Sequence, residues 1–345
     1  MSIANPKGSG RRLAIALGLA AGLLFPLVAA NDYVLFVMAL AYVMAISAIG
    51  LNLILGYTGQ LNLAHAGFMA IGAYTLGILT VDYGTPYWVA FLAAGLVTGV
   101  LGLLAGLVSL RLKSDYFAIF TLCIGIIISL SIEKWDSLTH GAVGIIGIPA
   151  PAGIGSLQFD TPVTQYYLVF AVLVASLWLM DRIVHSLYGR AFIAIRNGEG
   201  LAEALGVPLM KTKVVAFVIS TAYAGFAGAL YAGFVRFIGP GIAGTGQTFD
   251  LVAYILVGGI GTLMGPLVGA LILTWATQSL QFLQDFRMIV FGPLLILLVM
   301  FMPHGLVGTW IASRARKSAA RIEARRAARR AADDDKSPDK APAHA

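Results

Sequence analysis

Apolar runs of about 20 residues, the length that crosses a bilayer as a helix, recur along most of the chain, with Gly, Pro, Asn or charged residues between them. They predict about ten membrane-spanning helices, at roughly 13–30, 33–55, 61–80, 86–110, 115–132, 164–182, 212–235, 248–264, 265–283 and 288–302. The segment GGIGTLMGP, from Gly258 to Pro266, predicts either a tight turn between the eighth and ninth spans or a break inside one long helix. Eight or nine crossings therefore also fit. The most polar interruption is GLNLILGYTGQLNLAHAGFMAIGAY at 50–74, where Asn52, Tyr57, Thr58, Gln60, Asn62 and His65 crowd an otherwise apolar stretch around Gly56 and Gly59. Lipid offers amides no partners, so such a cluster must face protein or a water-filled path. It is the candidate substrate route.

Composition agrees with the pattern. Of 345 residues, 59% are hydrophobic and only 11% charged, and the mean hydropathy is +0.87. The expected fold is an all-α polytopic integral membrane protein. Charge then sets its orientation, because Lys and Arg gather in short cytoplasmic loops. With ten crossings and the N-terminus inside, 20 of the 23 basic residues fall inside, leaving Lys134, Arg236 and Arg287 outside. Ten of the 20 come from the tail beyond residue 313, yet ten against three elsewhere favours the same orientation. Both termini are expected in the cytoplasm. The net charge of +7 thus reflects membrane topology and does not imply nucleic acid.

The expected organisation is a cytoplasmic N-terminus at 1–12, a membrane domain at 13–303 with an outer loop at about 133–163 and an inner segment at about 183–211, and a basic tail at 304–345. Arg11 and Arg12 before the first run, and Ala29 and Ala30 at its end, resemble a signal peptide, but the run is long for that and another span follows at once. The tail carries RIEARRAARRAADDDK, which suits a solvated, disordered segment better than a helix on anionic lipid. The outer loop contains GAVGIIGIPAP and predicts a loop or re-entrant turn. Cys123 excludes an internal disulfide and is expected to pack in mid-membrane.

Small residues at four-residue spacing predict close helix packing: Gly95 and Gly99, Gly102 and Gly106, Gly225 with Ala229 and Gly233, and Gly261 with Gly265 and Gly269. Ionisable residues are nearly missing from the spans; His65 lies deep, whereas Arg236 and Asp250 fall near an outer boundary. An ion-coupled carrier usually keeps buried charge for its ions. The chain also lacks GxxxxGK[ST], HExxH, CxxC and GxSxG, so neither a phosphate loop nor a catalytic centre is recognisable. Uphill transport would need energy from another subunit. The inner segment offers an attachment point, with Ala191, Phe192 and Ile195 on one helical side and Leu201, Ala204 and Leu205 forming a second apolar face. Gly198, Gly200, Gly206 and Pro208 bracket that second piece.

Five ordered motifs carry a resemblance: the 50–74 stretch, the Gly-rich loop at 141–149, YGRAFIAIRNGEGLAEALGV at 188–207, VGGIGTLMGP at 257–266 and FMPHGLVG at 301–308. Across about residues 35–310 the chain resembles LivM-type permease subunits of ABC importers for branched-chain amino acids. The resemblance implies a bacterial inner-membrane heterodimer with a second related permease, two cytoplasmic ATPases that hold ATP and Mg, and a periplasmic solute-binding protein. This chain would be no enzyme and would bind no cofactor or metal itself. It also implies that Arg190, Arg196, Glu203, Ala204 and Gly206 engage the ATPases, with the arginines as donors and Gly206 allowing a sharp exit. Asn52, Tyr57, Gln60, Asn62 and His65 would offer dipoles to a passing zwitterion. Asn62 stands where relatives often have Ser, and His65 where they often have Gln, which suggests a polar lining without imidazole chemistry. Ala142 replaces a common Gly, and the tail lies outside the resemblance. The alternatives are an ABC permease for urea or short amides, or a stand-alone facilitator of a small polar solute.

Overall fold

The computed structural model describes residues 8–29, 31–112, 114–153, 158–279 and 305–309. Twelve α-helices occur among them: α1 (Gly8–Val28), α2 (Asp32–Asn52), α3 (His65–Val81), α4 (Tyr87–Ser109), α5 (Ser114–Lys134), α6 (Asp136–Thr139), α7 (Pro162–Val184), α8 (Leu187–Asn197), α9 (Glu199–Ala204), α10 (Leu209–Val235), α11 (Thr245–Gly258) and α12 (Gly265–Ser279). Among the described residues, five helical stretches are long and apolar enough to cross a membrane: Asp32–Tyr57, Tyr87–Ser109, Tyr116–Lys134, Pro162–Val184 and Leu209–Val235. Helix α3, with 17 residues, is shorter but equally apolar. The expected tenth span at 288–302, the end of the ninth and almost all of the tail lie outside the described residues.

Helices α2, α3 and α10 form the centre. Every residue of α2 from Ala41 to Asn52 is buried. A helix apolar on all sides suits a position ringed by other helices; α7, α10, α11 and α12 supply that ring around α2. Helix α4 shows the contrasting arrangement. Its small face, including Ala94, Gly95, Thr98 and Gly102, packs on α10, while Leu92, Leu96, Val100, Leu104 and Val108, four residues apart, remain exposed.

The glycine seams act as close-packing surfaces. A Cβ at Gly95 would strike the Phe226 ring and one at Gly102 the Thr221 side chain, while one at Gly106 would sit tightly against the Phe217 ring. Between α3 and α10 the backbones themselves approach: a Cβ at Gly72 would meet Gly225, and one at Gly228 would meet the Met69 carbonyl. Helix association in lipid depends on such proximity.

Three expectations change, and the choice left open at 258–266 is decided. The third span begins at His65 instead of residue 61, because Gly59 takes a φ of +77° and the backbone stays irregular to residue 64. The 258–266 segment is a turn between two helices, with Gly259 at φ +126° and Gly261 at φ +72°. The outer loop is more ordered than a plain loop: Ile145–Ile146 forms a strand antiparallel to Phe237–Ile238, pairing Ile145 with Ile238. Local sequence gives no sign of that distant partner. Cys123 does not pack but is exposed on α5.

Candidate functional site

Helix α10, about 40 Å long at 1.5 Å per residue, runs between two differently built ends. At its C-terminal end lies the two-stranded ribbon; at its N-terminal end lie α8 and α9. The polar 50–62 segment belongs to the α8 end.

Helix α2 does not stop cleanly there. It continues as a π turn, Leu53–Tyr57, a widening that often marks a functional position. The Gln60 amide, which regular helix would give to Gly56, donates instead to the Ile54 carbonyl at 3.0 Å. Arg196, in the last turn of α8, crosses the surface of Gly59 and donates through Nη1 to the Gly56 carbonyl. A charged side chain thereby serves a carbonyl released by the irregular turn.

The second turn locks onto the first. Asn52 Nδ2 donates to the Thr262 carbonyl at 2.9 Å, and its Oδ1 accepts from the Gly261 amide at 2.9 Å. One buried side-chain amide thus satisfies a donor and an acceptor of half-buried backbone. The spacing leaves no room for side chains. A Cβ at Gly56 would lie 2.5 Å from the Gly261 amide nitrogen, and a Cβ at Gly261 would strike Arg196 Nη1. Gly305, at φ +66°, closes on the same turn, since its Cβ would fall 2.5 Å from Gly259 N and Cα. Four of the five sequence motifs thus converge at one end; the fifth, at 141–149, forms the ribbon at the other.

The remaining polar residues lead from this junction into α3. Asn62 Oδ1 accepts from the Ala64 amide at 3.0 Å, a local turn that starts the helix. Thr121 on α5 accepts the Leu63 amide at 3.1 Å, and Gly125 lets that helix pass close to Ala64. His65 is completely buried with Nε2 at 2.9 Å from the Ser47 carbonyl. Because a carbonyl only accepts, Nε2 carries a proton. Asn52, Tyr57, Thr58, Gln60, Asn62 and His65 are all buried, but their bonding divides them. Asn52 is committed to backbone, whereas Gln60 Oε1, Asn62 Nδ2 and His65 Nδ1, together with Ser47 Oγ, have no partner among the described residues.

Helix α8 buries part of its expected face, whereas α9 packs through Ala202 and leaves its expected face outward. Phe192 and Ile195 are buried, and Ser186 caps α8 by accepting from the Gly189 amide. Gly189 is required where α8 turns against α7, since a Cβ would strike the Val184 carbonyl. On α9 only Ala202 is buried; Glu203 and Ala204 are exposed, as are Leu201 at 66% and Leu205 at 73%. Gly206, at φ +82°, ends α9 by donating to the Glu203 carbonyl at 2.8 Å while Val207 reaches Ala202 at 3.0 Å. Arg190 is exposed. Arg196 is exposed as well, and differs from the other four expected coupling residues in that its Nη1 reaches the Gly56 carbonyl.

Sequence reasoning missed three features: Arg196 meeting Gly56, Asn52 bridging to Gly261, and Lys213 pairing with Glu199 at 2.6 Å with only 7% of the Lys side chain exposed. The odd glycines signalled unusual backbone at 56–59 and 259–261. Nothing local signalled that the two sites touch.

Residues 33–299 match the family described as branched-chain amino acid transport system / permease component. The chain belongs to this family. It is 32% identical over 285 residues to the high-affinity branched-chain amino acid transport system permease protein LivM of Salmonella typhimurium, covering 76% of this chain and 67% of that protein. It is 31% identical over 291 residues to LivM of Escherichia coli, covering 78% and 68% respectively. Similarity to LivH of Salmonella typhimurium is lower, at 27% identity over 281 residues, with 76% and 91% covered. As a permease component, the chain is a membrane subunit in which the described residues contain no group of acidic, His or Cys side chains able to hold a metal ion.

Proposed function

We propose that this chain is the LivM-type permease subunit of an ABC importer that carries branched-chain amino acids across the bacterial inner membrane. Both termini and the α8–α9 segment face the cytoplasm, where two ATPase subunits supply the energy. A second, LivH-like permease completes the membrane unit, and a periplasmic binding protein delivers the solute at the ribbon end. The observation that carries this reading is the family match over residues 33–299. The distribution of Lys and Arg supports the orientation.

The coupling surface is the exposed face of α8 and α9, comprising Arg190, Glu203, Ala204 and the unpartnered Leu187, Leu201 and Leu205. An exposed apolar patch on short helices suits a protein partner. Solute passes the buried polar group at the start of α3, where Gln60, Asn62 and His65 retain free hydrogen-bonding atoms. Tyr57 borders this route, and Asn52 shapes it by holding the two turns together. Dipoles without fixed charge can pass an ammonium and a carboxylate without trapping either.

Co-purification with the ATPases and binding protein, followed by solute-stimulated ATP hydrolysis, tests the proposal. Leucine, isoleucine and valine should stimulate, whereas urea and short amides should not. Rapid solute flux through the purified chain alone would instead identify a stand-alone facilitator.

A further inference from the structure

We infer that Arg196 is an internal latch: it pins the end of α8 to the π turn at Gly56 and the turn at Gly261, setting the position of both breaks. This assigns it a positioning role within the chain instead of a contact with an ATPase. Three observations support the assignment. Its Nη1 donates to a carbonyl whose helical partner, the Gln60 amide, is engaged by Ile54. Its stem lies against Gly59, with Cγ 3.3 Å from where a Cβ would stand. Its tip occupies the space that a Cβ at Gly261 would claim.

The geometry makes this bond a lever. Helix α8 is hinged against α7 at Gly189 and released at Gly198, while its only long cationic side chain in the last turn reaches inward. Asn52 already joins the two turns, so a displacement of α8 delivered through Arg196 moves them together. Arg196 is an exposed residue whose tip reaches a buried carbonyl, so the charge-assisted bond is open to water and is a single side-chain contact that can break and reform. Its place in transport rests on the importer reading above; its existence as a latch does not.

The test uses the full chain in detergent-permeabilised membranes, so that a thiol reagent reaches both faces whatever the orientation. Cys123→Ser removes the native thiol and Thr58→Cys places a near-isosteric reporter at a buried position beside the latch. With Arg196 present, labelling should be slow; Arg196→Ala should accelerate it about tenfold or more, as loss of a charge-assisted bond predicts. Arg196→Lys should restore part of the protection. Arg196→Gln, which keeps an amide donor, serves if the Ala variant fails to fold, and amide exchange across 53–64 should rise in parallel. Unchanged labelling, or equal labelling in the Ala and Lys variants, would overturn the latch.

A second readout separates it from partner docking. Arg196→Ala should retain co-purification with the ATPases while the maximal uptake rate falls and the KM for solute stays near its original value. Loss of co-purification would make Arg196 a docking residue and defeat the inference. Failure of the unaltered chain to bind any ATPase would defeat the importer reading and leave the labelling result standing.

Discussion

The two ends of α10 are secured by different means. At the ribbon end, Ile145–Ile146 pairs with Phe237–Ile238 through backbone, and Gly77 leaves space for Ile238, Ile145 and Ile148. At the α8 end, two glycine turns are joined by side chains, with Asn52 bridging backbone to backbone and Arg196 reaching in from a separate helix. Backbone pairing and apolar packing make a fixed seam. Side-chain bonds to backbone make a junction that can change its partner without unfolding, a property suited to the end on which the proposed ATPases act.

Substitutions can test that contrast. Gly261→Val should have the largest effect, because it forces a side chain into φ +72° and against Arg196 and the Gly56 carbonyl. A loss of about 4 kcal/mol or more should appear as collapse of the monodisperse yield in detergent. Asn52→Leu should cost about 2 kcal/mol by removing the partner of the half-buried Gly261 amide and Thr262 carbonyl, read as a lowered melting temperature.

The ribbon contains its own internal comparison. Gly144 and Gly147 both have positive φ, but a Cβ at Gly144 would strike the Ile238 carbonyl while one at Gly147 meets nothing. Gly144→Ala should therefore cost about 2 kcal/mol and Gly147→Ala about 1 kcal/mol by thermal melting. If the two are equal, backbone strain alone governs this end. The smallest effect on stability should come from Leu201→Asp combined with Leu205→Asp, within about 0.5 kcal/mol for exposed positions. That pair should nevertheless abolish ATPase co-purification, which makes it the counterpart of Arg196→Ala.

The sequence by itself determined the membrane class, because runs of Leu, Ile, Val, Ala and Phe of spanning length admit few other structures. It also located most of the long helices within a few residues, the packing role of Gly95, Gly102 and Gly225, and the exit of α9 at Gly206. These are properties of local periodicity and of glycine's conformational range. Only the tertiary structure decided that residue 258–266 forms a turn, that Ile145 finds Ile238, and that Arg196 points inward while Leu201 and Leu205 point out. The reason is sequence separation: Asn52 and Gly261 meet across |i−j| of 209, and Arg196 meets Gly56 across 140. No periodicity encodes such a meeting; it arises when α2, α11 and α12 pack around one another and the end of α8 meets the π turn, which brings backbone carbonyls and amides within reach of a single side chain.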